Sequence, residues 1–221
     1  MPRGAGSSKC SLTFMPATAT HRRLTAAERR EAILDATMGL FARHGSAGAR
    51  TRALARAAGV SEAMVFKLFP DKDALYRALL QRKIAEAERE LPLASLAESD
   101  DPPEAFFGRI AGTILRRIEG DPSFMRLLLY SALEGHPLAE EFDRARAEGV
   151  RRVIVSYLRR GTARGLFRRV DASVAARSFV GLVIWFAMSR TLFREKGSLS
   201  IPRDRLVREV VRLFLHGVRQ P

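Results

Sequence analysis

The feature that most constrains this chain is the stretch 52–69, where the sequence describes two short helices joined by a tight turn. Leu54 and Ala55 lie at positions typical of one helical face, and Gly59 then provides a residue that tolerates a positive φ. Ser61, two residues later, is placed to accept a backbone N–H at the start of the second helix. The pattern predicts a helix-turn-helix.

The second of these helices has a narrow apolar edge formed by Val65 and Phe69, which lie four residues apart. At about 100° per residue, Ala63 and Lys67 point away from that edge. A short helix with a thin buried edge and a protruding face suits insertion into the DNA major groove. The alternative is a tight helical hairpin with no role in DNA binding, because spacing alone does not separate the two.

The helical pattern continues on both sides of this stretch. Residues 29–45 are amphipathic, with Ile33, Thr37, Leu40 and Phe41 on one stripe, and a further helix begins after Pro70. Gly45 is predicted to end the first helix, and residues 46–50 are predicted to form a short loop. In chain order the motifs are Ile33-Leu34, Leu40-Phe41, Gly45, Thr51, Leu54-Ala55, Ala58-Gly59-Val60-Ser61, Val65-Phe66, Phe69 and Lys72-Asp73-Ala74-Leu75. With this order and spacing, the block from Arg29 to Leu79 resembles the DNA-binding domain of the TetR (tetracycline-repressor-like) family of bacterial transcription regulators.

Beyond residue 92 the sequence shows repeated helix starts and stops, with proline or aspartate near the starts and glycine near the stops. No alternating strand pattern interrupts them. The predicted helices are 71–91, then 102–119, 121–134, 137–160, 171–194 and 202–218, with a linker over 92–101. The chain is therefore predicted to be all-α.

The resemblance implies how these helices are organised. We expect a disordered basic tail over 1–22, a three-helix helix-turn-helix DNA-binding domain over 23–70, and a larger helical bundle over 71–221 for ligand binding and dimerisation. Family members dimerise through their last two long helices. The same arrangement is expected here.

The 171–194 helix is apolar around almost its whole circumference between Phe179 and Met188, so it needs neighbours on two sides. One side is its own bundle and the other is predicted to be a second copy of the chain. The alternative is a fully enclosed core helix in a monomer. The predicted dimer interface contains Leu182, Val210 and Phe214.

Charge and composition restrict the function classes. The net charge is +14, and residues 1–80 carry half of it, with 13 basic and 6 acidic residues. This distribution favours double-stranded DNA as the polyanionic partner. A membrane surface is the competing partner, but no basic amphipathic helix with a bulky aromatic face is found near a terminus. A membrane span is also not predicted, because the most apolar stretch, 179–188, has only ten residues where a span needs roughly 20. We predict no membrane association and a cytoplasmic location, because no secretion signal is present.

Motifs for catalysis and metal binding are missing from the sequence. A single cysteine, Cys10, excludes a disulfide framework, and the four histidines lack the spacing of paired metal ligands. There is no Gly-x-Ser-x-Gly and no phosphate-binding P-loop. We predict no enzyme, no catalytic residue, no metal and no cofactor.

The predicted DNA contacts flank or lie on the second helix of the motif. They are Arg50, Thr51, Arg52, Glu62, Ala63, Met64, Phe66, Lys67, Leu68 and Lys72. Lys67 is predicted to reach guanine or a phosphate, the alternative being a solvated lysine. Thr51 is predicted to cap the first helix of the motif, to contact a phosphate, or both. The resemblance implies a phosphate contact for Lys72. Phe66 and Leu68 depart from the family pattern, which often has a tyrosine and a polar residue there. Apolar contact of Ala63, Met64 and Leu68 with thymine methyl groups is expected instead.

The C-terminal domain contains more large, soft side chains than one core stripe needs. A mainly apolar ligand pocket is therefore predicted from Phe107, Phe124, Leu128, Tyr130, Phe142, Trp185 and Met188. Arg109, Glu134 or Tyr157 is expected to orient the ligand, and ordinary core packing is the alternative. The predicted function is a homodimeric repressor released from its operator by a small hydrophobic effector. The alternative is a DNA-binding regulator or architectural protein without small-molecule input.

Overall fold

The computed structural model describes residues 24–220, and this part of the chain is helical without a named strand. The helices are α1 (Ala26–Gly48), α2 (Thr51–Ala57), α3 (Glu62–Leu68), α4 (Lys72–Glu90), α5 (Leu93–Ala97), α6 (Pro103–Gly120), α7 (Ser123–Leu133), α8 (Leu138–Phe142), α9 (Glu148–Ala163), α10 (Ala172–Thr191), α11 (Lys196–Leu199) and α12 (Arg203–Val218). The all-α prediction is confirmed. The predicted tail and Cys10 lie outside the described residues.

Local signals explain where α1 begins and bends. Thr25 and Glu28 form a capping box, with Thr25 N donating to Glu28 at 2.8 Å and Glu28 N donating to Thr25 Oγ1 at 3.2 Å. Gly45 has φ +68° and ends the regular helix, as predicted. One more helical turn, residues 46–48, follows it where a loop was expected.

The two motif helices differ in how they begin. Ser61 caps α3 by accepting a hydrogen bond from Met64 N at 3.2 Å, which confirms the predicted turn. The prediction that Thr51 caps α2 is wrong. Thr51 is the first helical residue, and Arg50 occupies the cap position without a side-chain hydrogen bond.

The first hydrophobic cluster joins the four helices α1, α2, α3 and α4. It includes the buried side chains of Phe41, Phe69 and Tyr76. It also includes Leu127 of α7 and Leu138 of α8. The Tyr76 hydroxyl donates to the Leu127 carbonyl at 3.0 Å, and burial is the larger cause of its raised pKa. The helix-turn-helix unit is therefore packed directly onto the C-terminal helices.

The second hydrophobic cluster is built mainly from α6, α9, α10 and α12. Leu96 also belongs to it, because residues 93–97 form α5 and bury this side chain. The linker predicted over 92–101 therefore contains a short helix that was not predicted. A five-residue helix gives too short a periodic pattern for the sequence to reveal it.

The predicted 137–160 helix is interrupted. After α8, the residues Asp143–Ala147 form a π-helical turn, and α9 then continues to Ala163. The predicted 121–134 and 171–194 helices each exist with shorter bounds, as α7 and α10. The four-residue α11 was not predicted.

Helix α10 has two different faces. Ala176, Phe179 and Val183 are buried against the bundle, whereas Val174 and Trp185 are 59% and 56% exposed. Its 20 residues are long and apolar enough to cross a membrane by length and composition, yet the helix packs against α6, α9 and α12. Among residues 24–220, therefore, only one side of α10 is covered.

Candidate DNA-binding surface and ligand cavity

Helix α3 exposes the face that the sequence predicts. Glu62, Ala63, Phe66 and Lys67 are exposed, whereas Val65 on the opposite edge is buried. Around α2, Arg50 and Arg52 are exposed and Thr51 is half-buried. The surface therefore combines a protruding short helix with basic groups near the preceding helix.

Two of the predicted DNA contacts are turned partly toward the protein. Leu68 is half-buried and packs against the first hydrophobic cluster. Met64 is also half-buried, and its sulfur accepts from Arg29 Nη1 at 3.9 Å. Because α3 has only seven residues, its flanking positions are close to α1, which reduces the side-chain area that DNA can contact.

Arg30 of α1 holds the end of α3. Its Nη1 donates to the Leu68 carbonyl at 2.9 Å, and its guanidinium lies 4.2 Å from the centre of the Phe69 ring. This combines a bond to a carbonyl at the helix C-terminus with a cation–π contact. Sequence reasoning missed Arg30 because its partner is 38 residues away.

Lys72 lies at the start of α4, where Asp71 caps the helix by accepting from Ala74 N at 2.6 Å. Its ammonium donates to the Ser46 carbonyl at 2.6 Å, and its side chain is half-buried. Lys72 therefore ties the start of α4 to the turn that precedes α2.

A cavity of about 500 Å³ lies between α4, α6, α7, the 142–150 segment and α10. Its lining is mainly apolar and includes three predicted pocket residues, Phe124, Leu128 and Phe142. The rings of Phe124 and Phe142 meet edge to face at 5.2 Å. A volume of this size lies in the range of small-molecule sites.

Four predicted pocket residues lie outside the cavity. Phe107 is fully buried in the second cluster, and Trp185 is exposed on the outer face of α10. Tyr130 faces α1, where its hydroxyl donates to the Arg43 carbonyl at 2.8 Å. Met188 is half-buried away from the cavity lining. Composition predicted the abundance of soft side chains but not the direction in which each one points.

The residues expected to orient a ligand have other partners. Arg109 pairs with Asp101 at 3.0 Å, and the Tyr157 hydroxyl donates to the Asp101 carbonyl at 2.6 Å. Glu134 binds the backbone amides of Ser46 and Ala47. None of the three lines the cavity.

One cavity wall contains a buried cation that the sequence did not reveal. Arg146, in the π-helical turn, is 4% exposed and donates to Glu88 at 2.7 Å. It also donates to the carbonyls of Ala87 and Leu91 at 3.0 and 2.7 Å, which caps the end of α4. Burial lowers the pKa of this guanidinium, and Glu88 opposes that shift.

The other lining cations differ in how they are paired. Lys83 pairs with Asp121 at 3.2 Å, and Arg117 pairs with Glu90 at 2.7 Å. Arg116 is exposed and donates to the Thr113 hydroxyl at 3.2 Å, and in residues 24–220 it forms no ion pair with a carboxylate. Arg116 is therefore the lining cation with the most freedom to meet an anionic ligand.

Two parts of the chain match described families. Residues 33–79 match the bacterial regulatory proteins of the tetR family, and residues 116–217 match the C-terminal domain of AefR-like transcriptional repressors. The chain belongs to the TetR family of bacterial transcription regulators. The recognition made from the helix-turn-helix motifs is thereby confirmed.

One curated relative matches part of the chain. The HTH-type transcriptional repressor Rv1474c of Mycobacterium tuberculosis is 35% identical over 105 residues, which is 45% of this chain and 56% of the relative. The match therefore spans about half the length of that curated protein.

Solved structures show the same fold. FadR from Bacillus subtilis in complex with stearoyl-CoA is 16% identical, with a TM-score of 0.65 over 85% of this chain and 98% of FadR. AibR in complex with isovaleryl coenzyme A and operator DNA is 18% identical, with a TM-score of 0.66 over 84% of this chain and 97% of AibR. At these identities the likeness supports the TetR-family fold alone.

Proposed function

We propose that this TetR-family chain is a cytoplasmic, homodimeric repressor that binds operator DNA and releases it when an effector occupies the cavity. The observation that carries the proposal is the position of the cavity. Its walls include α4 and α7, the two helices that are packed against the helix-turn-helix unit. A ligand there is in direct contact with the supports of the DNA-binding surface.

The DNA-binding part of the proposal rests on the exposed face of α3. Lys67 is exposed and has no ion-pair partner in residues 24–220, so its ammonium is free to meet guanine or phosphate. Arg50 and Arg52 add attraction to the phosphates. Lys72 can also take part, because an ammonium has three donors and only one is used by Ser46.

The dimer part rests on the uncovered face of α10. Val174, Gly181 and Trp185 share that face, and Leu213 of the neighbouring α12 is 62% exposed. A second copy of the same surface would bury these apolar side chains. Of the predicted interface residues, Val210 is buried within its own chain, and Leu182 and Phe214 are half-buried against the second cluster.

The effector part rests on the lining of the cavity. Apolar side chains from α6, α7 and α10 surround it, and Arg116 also lines it without an ion-pair partner in residues 24–220. This combination suits an amphipathic molecule with an apolar chain and an anionic group. The acyl-CoA bound by FadR and by AibR supports an acyl chain as the apolar part.

The test begins with selection of an operator from a random duplex library by the wild-type protein. Stearoyl-CoA, isovaleryl-CoA and free coenzyme A are then titrated into the complex. We expect an acylated compound to release the DNA and free coenzyme A to leave it bound. If no operator can be selected, the proposed repressor function is wrong. If neither acylated compound releases the DNA, the proposed effector class is wrong.

A matched pair of variants locates the effector. Leu128→Trp fills the cavity and should abolish release, because the indole occupies the space of the acyl chain. Leu133→Trp makes the same change on the same helix, at a side chain that is 85% exposed, and should leave release unchanged. Equal behaviour of the two variants would contradict the cavity as the effector site.

A further inference from the structure

Side chains of α7 bind the backbone of α1 at the point where α1 breaks. Arg126 Nε donates to the Ala42 carbonyl at 3.0 Å, and the Tyr130 hydroxyl donates to the Arg43 carbonyl at 2.8 Å. These carbonyls lie in the last turn before Gly45, so the broken helix leaves them without their usual partners. Helix α7 provides the missing partners.

Glu134, which follows α7, binds the other side of the break. Its Oε2 accepts hydrogen bonds from Ser46 N at 3.0 Å and from Ala47 N at 3.3 Å. These are the first amides of the extra turn at 46–48, so the carboxylate acts as a helix cap supplied by a residue 88 positions away. A Cβ at Gly45 would overlap this carboxylate, so the contact depends on a glycine there.

The same turn is held from a second direction. Lys72, at the start of α4, donates to the Ser46 carbonyl at 2.6 Å, and the Ser46 side chain is buried. The turn 46–48 continues through two residues directly into α2. The position of α2 relative to the cavity helices is therefore fixed by Glu134 on one side and Lys72 on the other.

The opposite face of α7 lines the cavity through Phe124, Met125 and Leu128. At about 100° per residue, these positions lie roughly half a turn away from Arg126 and Tyr130. Helix α7 has only eleven residues and is bonded to α1 on the face opposite the cavity, so it moves as one body. A shift on the cavity side therefore reaches the contacts with α1.

We infer that Glu134 is the positioning residue that transmits occupancy of the cavity to the DNA-binding unit. When the cavity fills, α7 shifts relative to α1, the carboxylate loses its hold on the Ser46 and Ala47 amides, and α2 is released from its fixed position. This inference rests on the proposed function, because it assigns the route by which that cavity acts.

The test needs neither an operator nor an effector. Hydrogen exchange of the Ser46 and Ala47 amides is measured by mass spectrometry in the full chain, and Leu128→Trp serves as a permanent cavity filler. In Glu134→Ala we expect exchange about tenfold faster or more, since bonds to a charged acceptor are the strong ones. The matched control is Glu98→Ala, at an exposed carboxylate far from the turn in sequence, with exchange unchanged.

Coupling is read from the double variant. Leu128→Trp should accelerate exchange of these two amides in the wild-type background and have no added effect in Glu134→Ala. Met125→Phe, a smaller filler of the same cavity, replaces Leu128→Trp if that variant does not fold. Unchanged exchange in both fillers, or equal acceleration with and without the carboxylate, would overturn the inference.

Operator binding separates this result from the proposed function. The wild-type protein could select no operator while filling of the cavity still accelerates exchange of the two amides through Glu134. The proposed repressor function would then be wrong, and the role of Glu134 would stand. If an operator is found and the exchange is uncoupled, only the role of Glu134 fails. Glu134→Gln, which keeps one acceptor oxygen, should restore part of the protection that Glu134→Ala loses.

Discussion

Single side chains of the DNA-binding unit divide into those that are free and those that hold the backbone. Lys67 has no ion-pair partner in residues 24–220, whereas Arg30, Lys72 and Glu134 each bind a backbone group of another helix. An unpaired group is available for DNA, and a bonded group determines where the motif helices lie. Lys72 belongs to both classes, because Ser46 uses only one of its three donors. Substitutions in the two classes should therefore have different effects.

Lys67→Ala is expected to weaken binding to the selected operator about tenfold or more and to reduce discrimination against altered operators, since a good base contact is worth about 1–3 kcal/mol. Lys72→Ala should instead weaken binding at all sequences and reduce the salt slope by about 1. Fluorescence anisotropy over a salt series measures both. Lys196→Ala, at an exposed lysine of α11, is the control. If Lys67→Ala weakens binding to every DNA sequence by the same factor, the base contact assigned to Lys67 is contradicted.

Gly45→Ala is expected to destabilise the protein by about 1–2 kcal/mol or more, because its φ of +68° is unfavourable for alanine. The added Cβ also meets the Glu134 carboxylate. The control is Gly108→Ala within α6, where a Cβ has open space and a small gain of about 0.5–1 kcal/mol is expected. Urea unfolding monitored by circular dichroism compares them, and equal stabilities would rule out this account of the α1 break.

At the scale of elements, the sequence predicted what depends on near neighbours in the chain. Gly45, Gly59 and Ser61 set the α1 break and the motif turn through their own backbone and side-chain chemistry. It did not predict α5 or the π-helical turn, because both depend on tertiary packing. Arg146 is an example, since its carbonyl partners are 55 and 59 residues away.

The candidate site shows the same limit. The sequence identified the protruding face of α3 from periodicity, because one helix turn determines which residues share a face. It did not separate the cavity-facing Leu128 from the α1-facing Tyr130, since both are large side chains on one helix. That distinction depends on which neighbours surround α7.

The π-helical turn gives a pH-dependent prediction. Asp143 accepts two hydrogen bonds from Arg151, both at 2.8 Å, and this pairing lowers the pKa of the carboxyl and raises that of the guanidinium. Because the folded pKa lies below the unfolded value of about 3.9, the pair stabilises the fold above that pH. The stabilisation is lost as the pH falls through the folded pKa.

Asp143→Asn should therefore lower stability at pH 7 by about 0.2–1 kcal/mol, the range for a solvent-accessible pair. The difference from wild type should shrink toward zero at about pH 3 and below. Thermal melts at both pH values measure it. Glu140→Gln breaks a more exposed pair with Arg144, at 3.6 Å, and should have little effect at either pH. A loss that is constant with pH would exclude the ion pair as its cause.

At the scale of the whole molecule, the cavity, the α7 contacts and the uncovered α10 face lie in one continuous body. The first hydrophobic cluster already includes side chains from α7 and α8, so the DNA-binding unit does not pack independently of the bundle. A dimer through α10 and α12 would join two such protomers and fix the distance between their two α3 helices. Loss of the dimer should therefore weaken operator binding without changing α3 itself.

Trp185→Glu and Leu213→Glu are expected to convert the proposed dimer to a monomer, because each places a charge on the apolar surface that a second copy would cover. Sedimentation at micromolar concentration measures the assembly, and circular dichroism checks that the helices remain. Leu133→Glu is the matched control, since Leu133 is 85% exposed at the end of α7 and outside this surface. It should leave the dimer intact. If both interface variants remain dimeric, the copies meet through another surface, and the exposed face of α10 needs a different partner.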